Sequence, residues 1–142
     1  MSFKWNPLTG TLDFFQKTNT ATSLQVNRIA NVQIFAGECV KSDSITNVSL
    51  ATNDGLSSDA IVLGIAANDA NVGENVVVVI MGVITNTAYN IFSLNSVLFL
   101  DQNGGITDVR PVFPAANFLT PIGKSLGGGS IFAQIELPTQ LS

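Results

Sequence analysis

Histidine is absent from this 142-residue chain, and cysteine occurs once, at Cys39. The commonest general base is therefore missing, with the serine and cysteine triads and most zinc and iron sites that depend on it. One thiol excludes both a thiolate metal site and a disulfide framework within a single chain. Cys39 reads as a small buried apolar residue. Gly123-Lys124-Ser125 has the ending of a phosphate-binding loop, but the motif needs glycine where Phe118 stands, so the segment reads as a strand running into a Gly-rich turn. Asp101-Gln102-Asn103-Gly104-Gly105 has the start of a calcium loop, yet Val112 occupies the place of its bidentate glutamate. Asp69-Ala70-Asn71-Val72-Gly73-Glu74 can supply oxygens to a hard cation, but reads first as a turn. Asp13, Asp43, Asp54, Asp59 and Asp101 all fall in or beside turn signals, where Asp is favoured for backbone reasons. The residues point to no enzyme, no metal and no cofactor.

The elements around these residues are short. Apolar runs rich in Val, Ile, Phe and Thr alternate with Gly, Asn, Asp and Ser from Leu24 onward. Strands are predicted over 24–28, 31–35, 38–42, 45–50, 60–67, 75–84, 97–100, 106–108, 120–126 and 131–137. Hairpin signals stand at Asp54-Gly55, Asn71-Val72-Gly73-Glu74, Asn103-Gly104-Gly105 and Gly127-Gly128-Gly129. This spacing predicts an all-β fold, an antiparallel barrel or sandwich. Helix is a weak alternative at 52–60 and 86–95. The run Val76-Val77-Val78-Val79-Ile80-Met81 does not alternate, so both of its faces must be covered. One reading puts one face on the core and the other, through Val76, Val78 and Ile80, on a neighbouring subunit. The other makes it a central strand beneath a loop.

Charge is sparse. Ten carboxylates and six Lys and Arg give a net charge of −4, and charged residues make up 11% of the chain against 46% hydrophobic. The basic residues are scattered, which argues against nucleic-acid binding. No apolar run approaches the roughly 20 residues of a membrane-spanning helix, and the opening lacks the apolar core of a signal peptide. A weakly charged surface suits burial in an oligomer or lattice.

The densest apolar segment is the opening, Phe3-Lys4-Trp5-Asn6-Pro7-Leu8-Thr9-Gly10-Thr11-Leu12-Asp13-Phe14-Phe15. It holds the only Trp and three of the nine Phe before position 16. Asn6-Pro7 and Thr9-Gly10 interrupt it, so neither helix nor long strand fits. Its cover is either its own domain or another protein. The small polar run 16–23 reads as a linker that reaches roughly 25 Å when extended. The layout is an anchoring peptide over 1–15, a linker over 16–23 and a barrel-like domain over 24–142.

Three blocks carry a family resemblance. Phe3 to Phe14 resembles the aromatic-Asn-Pro-x-Thr-Gly-x-Leu-Asp opening of many small tailed-phage virion proteins. The segments Val62 to Val78, Val97 to Thr107 and Ile122 to Leu126 are similar to β-rich domains of phage head-decoration, head-fibre and tail-fibre proteins. The resemblance implies a non-enzymatic virion protein, commonly a homotrimer, that hooks onto the major capsid protein or another virion protein. It implies contacts through Phe3, Trp5, Pro7, Leu8, Leu12 and Phe14, on a turn that includes Asn6; Phe15 closes the same apolar segment. It implies a location in the virion after assembly in the host cytoplasm, and leaves head and tail both open. A tail-fibre or baseplate component is the alternative within that class. A carbohydrate-binding adhesin is the alternative outside it, weakened by the shortage of aromatics beyond the opening.

Overall fold

The computed structural model describes residues 4–6, 11–13 and 23–142. These contain strands and single 3-10 turns and no α-helix, so the fold is all-β. In chain order the strands are β1 (Lys4–Asn6), β2 (Thr11–Asp13), β3 (Ser23–Ala30), β4 (Cys39–Ser42), β5 (Asn47–Leu50), β6 (Gly64–Ala66), β7 (Asn75–Thr85), β8 (Val97–Leu100), β9 (Ile106–Thr107), β10 (Phe118–Leu119), β11 (Pro121–Gly127), β12 (Ser130–Gln134) and β13 (Thr139–Gln140). β1 and β2 pair with each other, and β10 pairs with β13. The remaining nine form one sheet that closes on itself over part of its width.

The closure runs β3–β5–β4–β6–β7 and back to β3. All of these pairings are antiparallel except β3–β5, where Ile29 and Ala30 lie opposite Asn47 and Val48 in parallel. The ring is filled by Ala30, Ile34, Val40, Val48, Ala66, Ala70, Val76 and Val78. Three alanines in that set keep a five-stranded ring narrow enough to pack solid. The far half of β7 then leaves the ring and continues through β12, β11, β8 and β9. A second core lies between the two parts, with Cys39, Ile65 and Val79 from the ring strands and Ile84, Leu98, Leu100, Ile122 and Ile131 from the rest of the sheet.

One β-bulge divides the two cores. Leu24 lies opposite Met81 and Gln25 opposite Val79, so Ile80 is an extra residue in β7. An extra residue reverses the side-chain phase of everything after it. Before the bulge Val76 and Val78 point into the ring; after it Ile84 joins the second core while Met81 and Val83 turn outward. Val76, Val78 and Val79 of the apolar run are thus covered by their own chain, while Met81 at its end is open to solvent. Val76 and Val78 are 0% exposed, so neither has surface left for another subunit, and Ile80 keeps only partial exposure. Val76 and Val78 therefore belong to the domain's own core, and Ile80 alone of the three keeps surface that a neighbour could meet.

The strand pattern agrees with the sequence over most of the domain; the short paired strands β10 and β13 were not predicted, and three further stretches depart from it. Residues 31–35 make only an isolated bridge, Ile34 to Ala70. The stretch 60–67 keeps strand at Gly64–Ala66 alone, preceded by a 3-10 turn at Ser57–Ala60. The possible helix at 86–95 is a 3-10 turn, Thr87–Ile91, capped where the Asn86 side chain accepts from the Ala88 N–H at 2.9 Å. Tyr89 anchors this turn by donating to the Gly37 carbonyl at 2.7 Å, and its ring stacks near Phe92.

Candidate docking surfaces

Residues 4–13 contain a small hairpin. Lys4 pairs with Asp13, Trp5 with Leu12 and Asn6 with Thr11. Asn6-Pro7 begins its connection and Thr9-Gly10 ends it, which explains why pairing starts and stops where it does. Trp5, Asn6 and Leu12 therefore sit on paired strands, while Phe3, Pro7, Leu8, Phe14 and Phe15 lie outside the described residues, as does 16–22 of the linker. Two strands of three residues are marginal by themselves in water. Such a hairpin persists only against another surface.

A second candidate surface was not foreseen from the sequence. Beyond the bulge, the outer side of the sheet is open. Val83 lies opposite Phe132, Phe132 opposite Lys124, and Lys124 opposite Val97, a straight row across β7, β12, β11 and β8. Leu24 and Met81 extend it onto β3. Leu24 is 60% exposed, Val97 54%, Met81 48% and Val83 40%. At about 4.8 Å between neighbours, five strands make this face roughly 19 Å wide. A shallow groove of about 160 Å³ crosses it between Val97, Pro121, Lys124, Phe132, Gln134 and Glu136. Lys124 is the one charged residue of the row. The residues after Ile80, Met81-Gly82-Val83-Ile84, do not alternate between polar and apolar, so the sequence does not tell which of them face outward.

A third feature is a cavity of about 280 Å³ that includes Asn53, Asp101, Gln102, Thr107, Arg110 and Val112 in its wall. Asn53 is 2% exposed. Its side-chain amide donates to the Leu100 carbonyl at 3.0 Å, and its own carbonyl accepts from the Asn117 and Phe118 N–H groups. Its Oδ1 has no partner among the described residues. The cavity offers hydrogen bonds and no aromatic platform of the kind that stacks sugars.

The remaining candidates are structural. Asp69 accepts from the Ala36 N–H at 2.8 Å, and Glu74 from the Asn71 N–H at 2.8 Å, so both carboxylates of that loop hold backbone. Asp101 opens a tight turn in which Asn103 and Gly104 take positive φ of 50° and 80°. Gly123-Lys124-Ser125 lies inside β11. Lys41 donates to Asp59 at 2.6 Å and has Asp43 at 3.8 Å. The hydrogen bond from Lys41, helped by one from the Leu56 N–H, holds the Asp59 carboxyl below its usual range, and Asp59 in turn raises Lys41. Among the described residues no three His, Cys, Asp or Glu converge as metal ligands, and no helix is long and apolar enough to cross a membrane.

No protein-family model matches the chain. No curated protein matches it either. Among solved structures it is similar to the head fibre gp8.5 N base of bacteriophage phi29, at 13% identity and a TM-score of 0.46, over 84% of this chain and 98% of that one.

Proposed function

We propose that this chain is a non-enzymatic structural protein of a tailed-phage particle, a capsid-decoration or head-fibre component held on the particle by residues 1–15. The observation that carries this reading is the opening itself. Its sequence resembles a virion-protein opening, and its backbone forms a hairpin too short to stand without a second surface. The sparse charge of the domain supports the same reading, because a repetitive protein lattice offers a large uncharged partner. Domain and hook divide the work: 24–142 supplies a rigid body, 16–23 the reach, and 1–15 the contact with the major capsid protein or another virion protein. Assembly as a homotrimer would multiply weak hooks into firm attachment.

The test is binding to purified particles that lack the protein. Deleting Met1–Phe15 is expected to abolish binding and leave the domain folded, with its β-rich circular dichroism retained. Replacing Trp5 with Ala is expected to weaken binding about 30-fold, the equivalent of roughly 2 kcal/mol for an aromatic anchor. A truncated protein that still coats particles would end the anchoring reading. Binding to tails and not to heads would move the protein to a tail-fibre or baseplate position.

A further inference from the structure

The open side of the sheet and the anchoring hairpin lie close along the chain. Ser23 is opposite Gly82 and Leu24 opposite Met81, so β3 begins at the border of the exposed face. β7 continues past that point through Val83–Thr85, and on the β3 side this stretch has no strand partner among the described residues. Nine residues, 14–22, separate β2 from β3, a tether of roughly 30 Å when extended. That exceeds the roughly 19 Å width of the face. The hairpin can therefore lie anywhere across the row Val83, Phe132, Lys124 and Val97 without strain on the tether.

The face shows Leu24, Met81, Val83 and Val97 to solvent. The hairpin brings Trp5 and Leu12 at paired positions and needs a surface to persist. A short tether presents it at an effective concentration in the millimolar range. A second copy, at the micromolar concentrations of a dilute protein, competes poorly with a segment already attached.

We propose that this outer face is the resting seat of the chain's own N-terminal hairpin, which lies on it until a particle surface takes the hairpin over. The purpose assigned to the contact rests on the anchoring reading; the contact itself does not. A seated hairpin covers this apolar side of the domain before assembly. It also makes anchoring an exchange of one apolar surface for another, so particle affinity is lowered by the strength of the resting contact.

Trp5 is the only tryptophan, so its fluorescence reports this contact directly. In the full chain its emission is expected to be blue-shifted, and its acrylamide quenching several-fold weaker, relative to a synthetic peptide of residues 1–22. Met81→Glu combined with Val83→Glu is expected to return both readings to those of the peptide. Val97→Lys, on a different strand, makes the same test should the first variant lose its native circular dichroism. Protection that persists on dilution assigns the contact to the same chain. Trp5 as accessible in the full chain as in the peptide overturns the proposal, as does protection that survives both variants. Protection lost on dilution also overturns it, in favour of a second copy as the occupant. Particle binding by the hairpin is read separately, and its loss on deletion of Met1–Phe15 stands whichever way the fluorescence falls.

Discussion

Replacing Val78 with Ala separates a strand that fills its own domain from one that meets a neighbour. Val78 is fully buried inside the ring, where its companions include Ala30, Ala66 and Ala70. The substitution removes two carbons, worth about 0.8 kcal/mol each in transfer from water, or ~1.6 kcal/mol together. A cavity term adds to this where neighbours cannot close the gap. The alanines around Val78 have no reach with which to close it, so the total is expected at about 2–3 kcal/mol. With a urea slope near 1.5–2 kcal/mol per molar for a domain of this size, the midpoint should fall by about 1–2 M. Val83→Ala, on the outer face of the same strand, is expected to stay within about 0.5 kcal/mol of the parent. Urea titration followed by circular dichroism measures both, and light scattering should show an unchanged mass for each. A Val78→Ala protein of near-parental stability and reduced mass would refute the two-core account of β7.

Two further outcomes follow from the polar pair and the thiol. Asp59 has a folded pKa below its ordinary 3.8, so its stabilisation is complete above that value and fades as pH falls through the lower folded one; Lys41, raised above 10.5, keeps its contribution below that value and loses it as pH rises through the higher folded one. Asp59→Asn should therefore flatten both limbs of a stability–pH curve and cost at most about 1 kcal/mol at neutral pH, since the pair is partly solvated; a curve with unchanged limbs would assign the pH dependence elsewhere. Cys39 is buried, and desolvation together with the Glu38 charge pushes its thiol pKa up, so it should resist a thiol reagent in the native protein and react fully in urea; rapid native labelling would contradict the packing of β4.

The legible part of this fold was local. Strands at 75–84, 97–100 and 120–126 were readable because short apolar stretches end at strong turn residues, Gly73 and Glu74 before one and Gly127 to Gly129 after another. The stretch 31–35 was misread because Ile34 is apolar for a different reason: it plugs the ring from a loop and touches the sheet through a single bridge. Ring closure was not readable at all. It depends on β3 pairing with both β5 and β7, and nothing in the composition of β3 distinguishes a strand with two distant partners from one with a single hairpin partner. The hairpin at 4–13 was half legible. Its turn residues were evident, but the dense aromatics concealed the pairing of Trp5 with Leu12.

The consequence of the bulge at Ile80 reaches furthest. Without it, β7 would keep one phase throughout, and Met81 and Val83 would continue the face of Val77 and Val79 into the second core. The extra residue instead brings Gly82 and Ile84 to that core and turns Met81 and Val83 outward. The interior is then already satisfied by two complete clusters, and the apolar residues on the outer row have no place left inside the domain. A chain with so few charges has little else to keep such a row apart from its copies in solution. A tethered hairpin that occupies the row resolves this conflict and at the same time keeps Trp5 next to the surface it leaves on docking. On the proposed seat, the same small set of apolar residues would serve solubility before assembly and attachment after it, and the phase reversal at one residue of β7 is what makes that arrangement available.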